Sequence, residues 1–294
     1  MKKILNIILI LLLTLSITGC KKVQETFVEY DNYYSYQNVS YGKHERNILD
    51  LNLPKTPTNG LILFIHGGSW VSGDKDGYRG SMEDWTKNMG YATCSINYRY
   101  ISGKFDCYDM LDDIDNALKK VKEYASLKGL DLTKVLLTGH SAGGHLSLLY
   151  AYKMKDQAPI KPVCVVNNCG PTDINDDNYY IGNELSIKLV YLFSNLINKK
   201  VTVNNREDRY NDLEKVSPIY YINEDTVPTL TAHGMNDSIV PYSNAVTLHN
   251  KLNEYGVENL LIPFPNSDHG LESDEECHQL LNDKMLEYID KYLK

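Results

Sequence analysis

Residues 135–150 read VLLTGHSAGGHLSLLY. Val135, Leu136 and Leu137 are residues of a buried strand. They run into a serine flanked by glycines, and the chain resumes as an apolar helix. Strand, G-x-S-x-G and helix, in that order, describe a sharp turn that holds a serine above the edge of a sheet. Side chains at Gly139 and Gly143 would collide with the neighbouring strand and helix, so the glycines are a steric need. The turn sets Ser141 at a helix N-terminus, where the helix dipole favours a developing negative charge. A serine hydroxyl alone is a poor nucleophile, so the reading requires a base elsewhere in the chain.

The flanking sequence alternates strand and helix patterns. Residues 61–65 (LILFI), 91–97 (YATCSIN), 134–139 (KVLLTG), 162–168 (PVCVVNN), 227–234 (VPTLTAHG) and 259–264 (NLLIPF) are apolar runs of strand length. Strands apolar on both faces predict a mostly parallel sheet covered by helices on both sides. YSYQNVSYG and NILDLNLP predict an antiparallel pair ahead of it. Met110, Ile114, Ala117, Val121 and Tyr124 have helical spacing, and helices are expected over 142–154 and 242–255. Ser273 and Glu276 predict a capping box at the start of the last helix. Residues 171–217 break the rhythm. They are polar, with one apolar stretch from Ile187 to Ile197, and read as a small cap inserted between strands.

The base has a clear candidate. His269 lies in Asn266-Ser267-Asp268-His269-Gly270, a polar loop between the last strand and the last helix. A carboxylate is needed between Ser141 and His269 in chain order. Asp237 lies just past the strand that ends in His233-Gly234, and would fix the imidazole tautomer and stabilise the imidazolium. Asp268 is the competing acid, but as a sequence neighbour of His269 it pairs awkwardly with it. Asp225 precedes its strand and lies at the wrong end of the sheet. His233 reads as a structural hydrogen-bonder and His140 as locked in the turn. An acyl-transfer transition state carries an oxyanion, so donors must await it. The Ala142 N–H is one. The second is expected from His66-Gly67-Gly68-Ser69-Trp70, after the strand LILFI, with the Gly67, Gly68 and Ser69 amides all open as donors.

HGGSW, Asn97-Tyr98-Arg99, GHSAGG, HGMNDSIVP and DHG together resemble the α/β-hydrolase superfamily. Within it they are most similar to the esterase branch near hormone-sensitive-lipase-like enzymes, with carboxylesterases, acetylxylan and feruloyl esterases and kynurenine formamidase. The resemblance covers about residues 35–294. Lipase-like members usually read HGGG, whereas Ser69 stands at the third glycine here, which looks more like the feruloyl-esterase and formamidase side. The resemblance implies an α/β-hydrolase fold and a serine esterase with Ser141, Asp237 and His269 as its triad. It implies no metal and no cofactor. The expected substrate is a small-molecule or carbohydrate ester with a short acyl chain. Asp176, Asp177, Tyr179 and Tyr180 in the cap are expected on the leaving-group side. The rival readings are an arylformamidase or amidase and a non-catalytic hydrolase-fold binding module.

Composition limits the rest. The chain has 294 residues, 43% hydrophobic and 23% charged, with a formal net charge of -8. This length supports one large core. The acidic balance and the lack of a basic patch argue against a nucleic-acid partner. The 23 tyrosines accompany abundant Asn, Ile and Lys, a usage expected of an AT-rich genome. Lys2 and Lys3 followed by the apolar residues 4–17 predict a secretory leader over 1–19. Ile17-Thr18-Gly19-Cys20 resembles the lipobox of bacterial lipoproteins, with Ile at the usual Leu position. It predicts lipidation at Cys20, a tether over 20–34, and export with attachment to a membrane through the lipid. Cys94, Cys107, Cys164, Cys169 and Cys277 remain. They show neither CxxC nor zinc spacing, and Cys94 and Cys164 fall in apolar strands as small buried hydrophobes.

Overall fold

The computed structural model describes residues 24–180, 184–201 and 211–294. The expected leader and Cys20 lie outside the described residues. Among the described residues there are nine strands: β1 (Thr26–Glu29), β2 (Tyr33–Ser40), β3 (Ile48–Pro54), β4 (Gly60–Ile65), β5 (Ala92–Asn97), β6 (Lys134–His140), β7 (Lys161–Asn168), β8 (Thr229–Gly234) and β9 (Asn259–Phe264). They form one sheet in the order β1-β2-β3-β5-β4-β6-β7-β8-β9. The pairings of β1 with β2, β2 with β3 and β3 with β5 are antiparallel, and all others are parallel. The six apolar runs of the sequence are the six parallel strands.

Each central strand sends alternate residues to opposite faces, and both faces are covered. Leu61, Leu63 and Ile65 of β4 join one core, with Val135 and Leu137 of β6. Ile62 and Phe64 join the other, with Leu136, Val166 and Leu230. The first core is packed by α2 (Cys107–Leu127), α3 (Ala142–Lys153) and α5 (Ser243–Glu254). The second is packed by α1 (Arg79–Met89) and α6 (Glu275–Tyr292). Each fully enclosed Leu or Ile contributes about 1.5–3 kcal/mol relative to an exposed one, so strands buried on both faces carry most of the driving force. A further helix, α4 (Glu184–Leu196), belongs to the 171–217 insertion between β7 and β8. No described helix is long and apolar enough to cross a membrane.

Two expectations change. The segment read as a tether already enters the sheet. Thr26–Glu29 pairs with β2, Thr26 opposite Gln37, and Phe27 packs on Tyr36 with ring centroids 4.9 Å apart. The hydrogen-bonding edge of β2 supplies order that the four-residue pattern does not announce. The capping box at the last helix does not form. Asp274 is the N-cap residue and no side chain caps the helix there. Its carboxylate instead takes the Ser267 hydroxyl at 2.6 Å and the Asn266 side-chain amide at 2.9 Å, which braces the loop that carries His269.

The topology creates the site. The chain passes from β4 to β5 on one side and returns to β6 on the other, so β4 and β6 lie side by side with Ile65 opposite Gly139. The loops that leave their carboxyl ends diverge from a shared crevice, the usual ligand position in such sheets. The HGGSW loop and the GHSAGG turn emerge there. A groove lined by Lys55, Asn59, Gly90, Lys128 and Lys294 lies at the opposite end of the sheet and offers no serine–histidine pair.

Candidate active site

The turn around Ser141 is as tight as its sequence requires. Ser141 has φ 56° and ψ -121°, a region that L-residues rarely occupy and that costs on the order of 1–3 kcal/mol when held. A Cβ at Gly143 would lie 1.9 Å from the Ile65 carbonyl oxygen, and one at Gly139 would lie 2.5 Å from the same atom. One at Gly144 would lie 2.3 Å from Asn167 Oδ1. These obstacles are mostly backbone and cannot step aside. The Ser141 N–H donates to the Asn168 carbonyl at 2.8 Å, which ties the turn to β7. Ala142 opens α3, where the first amides have no partner within the helix.

His269 and Asp237 meet. His269 Nδ1 lies 2.7 Å from Asp237 Oδ2. The carboxylate has no solvent-exposed side-chain surface. Its other oxygen accepts the Ile239 and Val240 amides at 2.9 and 2.8 Å. Burial alone would raise the Asp237 pKa. Hydrogen bonds from His233, His269 and the Val240 amide outweigh it and hold the group well below the usual carboxylate range. His233, fully buried, shares its Nε2–H between the Val240 carbonyl at 2.9 Å and Asp237 at 3.2 Å, as expected of a structural hydrogen-bonder. The rival acid Asp268 turns away from the imidazole. It takes the Ser238 amide at 2.8 Å and the His269 amide at 2.7 Å, bracing the acid loop against the base loop. His140 of the turn donates Nε2–H to the His269 carbonyl at 2.7 Å, so the loop that bears His269 rests on the loop that bears Ser141. No hydrogen bond joins Ser141 Oγ to His269 Nε2. Such contacts commonly tighten only in a complex.

The glycine loop closes over the same crevice. A Cβ on Gly67 would lie 2.7 Å from the His140 carbonyl and 3.4 Å from Ser141 Cβ, so its backbone lies against the turn. Gly68, Ser69 and Trp70 follow with φ of 113°, 51° and 60°. Trp70 is held by its Nε1–H, which donates to His145 Nδ1 at 3.2 Å. His145 is fully buried in α3, and its Nε2–H donates to the Val216 carbonyl at 2.7 Å. Burial lowers the His145 pKa to about 4, so the ring is neutral and its tautomer is set. Glycine loop, nucleophile helix and the end of the insertion are thus one hydrogen-bonded chain.

The insertion differs in detail from its reading. Tyr179 is buried and packs edge-on against Phe193, which in turn meets Trp70. Asp176 is spent on α5, accepting from Ser243 and from Asn244 Nδ2 at 2.9 Å. These groups build the wall of the insertion rather than a polar surface. Among the described residues, two donor sets lie close enough to hold a metal: His140, Cys169 and His269, and Cys169, His233 and Asp237. His233 and His269 are each already hydrogen-bonded to Asp237, and burial pushes the Cys169 thiol up, away from the thiolate a metal needs. The residues fit a hydrolytic constellation better than a metal centre. Among the described residues, the free thiols of Cys94 and Cys164 are buried as expected, Cys107 is buried as well, and Cys277 is half-buried.

Three residues on neighbouring elements prop the glycine loop: Arg46, which no motif announces, and Asn97 and Tyr98 of the Asn97-Tyr98-Arg99 motif, whose contacts the motif does not foretell. Asn97 accepts the Lys75 amide and donates to Asp74, each at 2.7 Å, and the Tyr98 hydroxyl donates to the His66 carbonyl at 2.9 Å.

The model of the BD-FAE family matches residues 49–252. The probable carboxylic ester hydrolase LipM of Mycobacterium tuberculosis is 30% identical over 229 residues, which are 74% of this chain and 51% of that protein. The acetylxylan esterase of Xylanibacter ruminicola is 24% identical over 228 residues, 74% of this chain and 42% of that protein. This chain thus spans about half the length of these relatives. Among solved structures, a truncated carbohydrate esterase from gut microbiota superposes with a TM-score of 0.71 at 23% identity, over 86% of this chain and 96% of that one. Esterase B of Lactobacillus rhamnosis superposes with a TM-score of 0.70 at 22% identity, over 89% and 86%. At such identities these likenesses establish the fold, which is that of the α/β-hydrolases.

Proposed function

The chain belongs to the BD-FAE family, and on that premise we propose that it is a serine carboxylic ester hydrolase. The observation that carries the proposal is the strained Ser141 turn with the 2.7 Å Asp237–His269 pair in the loops packed upon it. Ser141 Oγ attacks the ester carbonyl as His269 Nε2 takes its proton. The charge that develops on the carbonyl oxygen is met by the Ala142 N–H and an amide of Gly67 or Gly68. Donors of this kind are worth about 10²–10³ in rate each. His269 then protonates the leaving alcohol, and Asp237 stabilises its imidazolium and keeps Nδ1 protonated. Water, deprotonated by His269, releases the acid and restores Ser141.

Two finer readings belong to this proposal. The substrate is a short-chain ester, with acetyl or feruloyl groups on carbohydrate as the preferred class. Support comes from the relatives described as acetylxylan and carbohydrate esterases, and from the tight aromatic wall of Trp70, Tyr179 and Phe193. The chain is lipidated at Cys20 and held outside the cytoplasm on a bacterial membrane, with the lipobox-like Thr18-Gly19-Cys20 as its support. The substrate reading is tested with p-nitrophenyl esters of increasing acyl length, beside acetylated and feruloylated oligosaccharides and a formamide. Expected is a kcat/KM maximum between acetyl and butyryl, with turnover of at least one sugar ester. A maximum at octanoyl or longer without sugar-ester turnover, or a preference for the formamide, would overturn it.

A further inference from the structure

The glycine loop can fail in a specific way. The peptide between Gly67 and Gly68 has glycine on both sides, so little steric cost opposes rotating it by half a turn. In one orientation its N–H is available to an oxyanion. In the other its carbonyl would be, and would repel the charge.

One orientation is held. His66 Nδ1 lies 2.7 Å from the Gly67 carbonyl oxygen, and His66 Nε2 lies 3.1 Å from Arg46 Nη2. A guanidinium has only donors. Nε2 must therefore accept, and the proton sits on Nδ1, where it donates to Gly67. Burial, with the Arg46 charge adding to it, lowers the His66 pKa to about 4, consistent with a neutral ring. The peptide is trans, so its N–H points opposite to its carbonyl, away from His66. Among the described residues no acceptor takes the Gly68 N–H. Gly73 closes the other side of the carbonyl: with φ 101°, its absent Cβ would lie 2.3 Å from Gly67 O.

Arg46 is itself fixed. It comes from the β2–β3 connection, on the antiparallel part of the sheet. Its Nε donates to the Tyr98 carbonyl at 2.9 Å, its Nη2 also donates to the Gly73 carbonyl at 3.1 Å, and its guanidinium lies 3.7 Å from the Tyr100 ring centroid. Tyr98 stacks on His66 with centroids 4.3 Å apart. A side chain remote in sequence from the serine turn thus ends in contact with the histidine of the glycine loop.

We infer that Arg46 is a positioning residue of the oxyanion hole: it sets the His66 tautomer whose Nδ1–H holds the Gly67 carbonyl back, leaving the Gly68 N–H to face the reacting carbonyl. The inference rests on the esterase reading. Without Arg46, the other neutral tautomer becomes accessible. It would set a lone pair against the Gly67 oxygen, and the peptide would turn.

The test compares wild type with Arg46→Met, Arg46→Lys, His66→Ala and the Arg46→Met/His66→Ala double variant. Initial rates on p-nitrophenyl acetate are measured beside inhibition by a trifluoromethyl ketone, which forms an oxyanion on the serine. Arg46→Met is expected to lower kcat by about 10–100-fold with little change in KM, since only transition-state stabilisation is lost. Ketone affinity should fall by a similar factor. Adding Arg46→Met to His66→Ala should cost nothing further, because Arg46 acts through His66. Arg46→Lys keeps one donor and should stay within about threefold of wild type. It decides the matter if Arg46→Met does not fold: a loss of ketone affinity above tenfold in the lysine variant would contradict the tautomer role. Unchanged kcat in Arg46→Met, lowered kcat with unchanged ketone affinity, or a full additional loss in the double variant would overturn the inference and leave the esterase reading standing. A wild type inert toward both reagents would remove that reading first, and the inference with it.

Discussion

Replacing His249 by leucine should make the protein markedly less sensitive to mild acid. For three of the buried histidines, His66, His145 and His249, burial lowers the pKa from about 6.5 to about 4. In the unfolded chain each binds a proton below about 6.5, while in the fold it stays neutral until about 4. Between those values the unfolded state holds more protons, so acidification favours unfolding. At about 1.4 kcal/mol per pH unit, each histidine loses about 2 kcal/mol of stabilisation between pH 8 and pH 5. Three together lose about 6 kcal/mol, a large part of the 5–15 kcal/mol typical of a domain. Burial likewise lowers the His140 pKa and adds in the same direction. Asp173, pushed up by burial to about 6, works oppositely: its folded form binds the proton first and returns about 1.4 kcal/mol by pH 5. The histidines win. His249 is the useful probe because it sits in α5, paired through Nδ1 with Asn259 at 2.6 Å, with Nε2 buried and unpartnered, away from the Ser141 crevice. Urea unfolding of wild type and His249→Leu at pH 8 and pH 5 measures the effect. The wild-type difference between the two pH values should exceed that of the variant by about 2 kcal/mol. Equal differences would show that His249 is not held neutral, and the argument for the other two would weaken with it.

Gly143→Ala should unfold or inactivate the protein, since its Cβ has only the Ile65 and His66 backbone to meet. Gly77→Ala, with nothing within 4 Å of the added atom, should leave the urea midpoint nearly unchanged. Asp237→Asn should keep the fold but lower kcat by on the order of 10⁴, as a wrong imidazole tautomer does elsewhere. Asp268→Asn, which loses a loop brace, should cost far less, and the reverse ranking in a p-nitrophenyl acetate assay would move the acid role to Asp268. Cys20→Ala should release the protein from the membrane fraction or leave its leader uncleaved. A mature N-terminus elsewhere without acyl chains, seen by mass spectrometry, would refute that assignment.

What was legible in the sequence was whatever a single strand or turn determines by itself. The parallel strands β4 to β8 read as apolar runs because both of their faces are covered, while β9 at the sheet edge keeps an apolar run with only part of it buried. The Gly139, Ser141 and Gly143 turn was readable because a Cβ at either glycine has nowhere to go. Asp237 and His269 followed from chain order and from their places at strand ends. The illegible parts depend on partners distant in sequence. The helix α1 buries only Met82 and Thr86, so RGSMEDWTKNM carries too thin an apolar stripe to announce itself. The strand β1 exists because β2 offers it an edge. Ser273 and Glu276 satisfy the capping-box spacing, yet Asp274 became the N-cap and spent its carboxylate on the His269 loop. Tyr179 and Asp176 looked like surface chemistry because nothing local reveals that Phe193 and Asn244 will cover them. Arg46 had no motif at all: its importance arises where the β2–β3 connection meets the loop after β4.

The central claim is that Ser141 carries the acyl group. A fluorophosphonate added to the full chain, followed by proteolysis and mass spectrometry, tests it directly. The account predicts one adduct per chain, on the peptide that contains Ser141, with parallel loss of ester hydrolysis and no adduct in Ser141→Ala. Labelling at another residue, or hydrolysis that persists in Ser141→Ala, would contradict it.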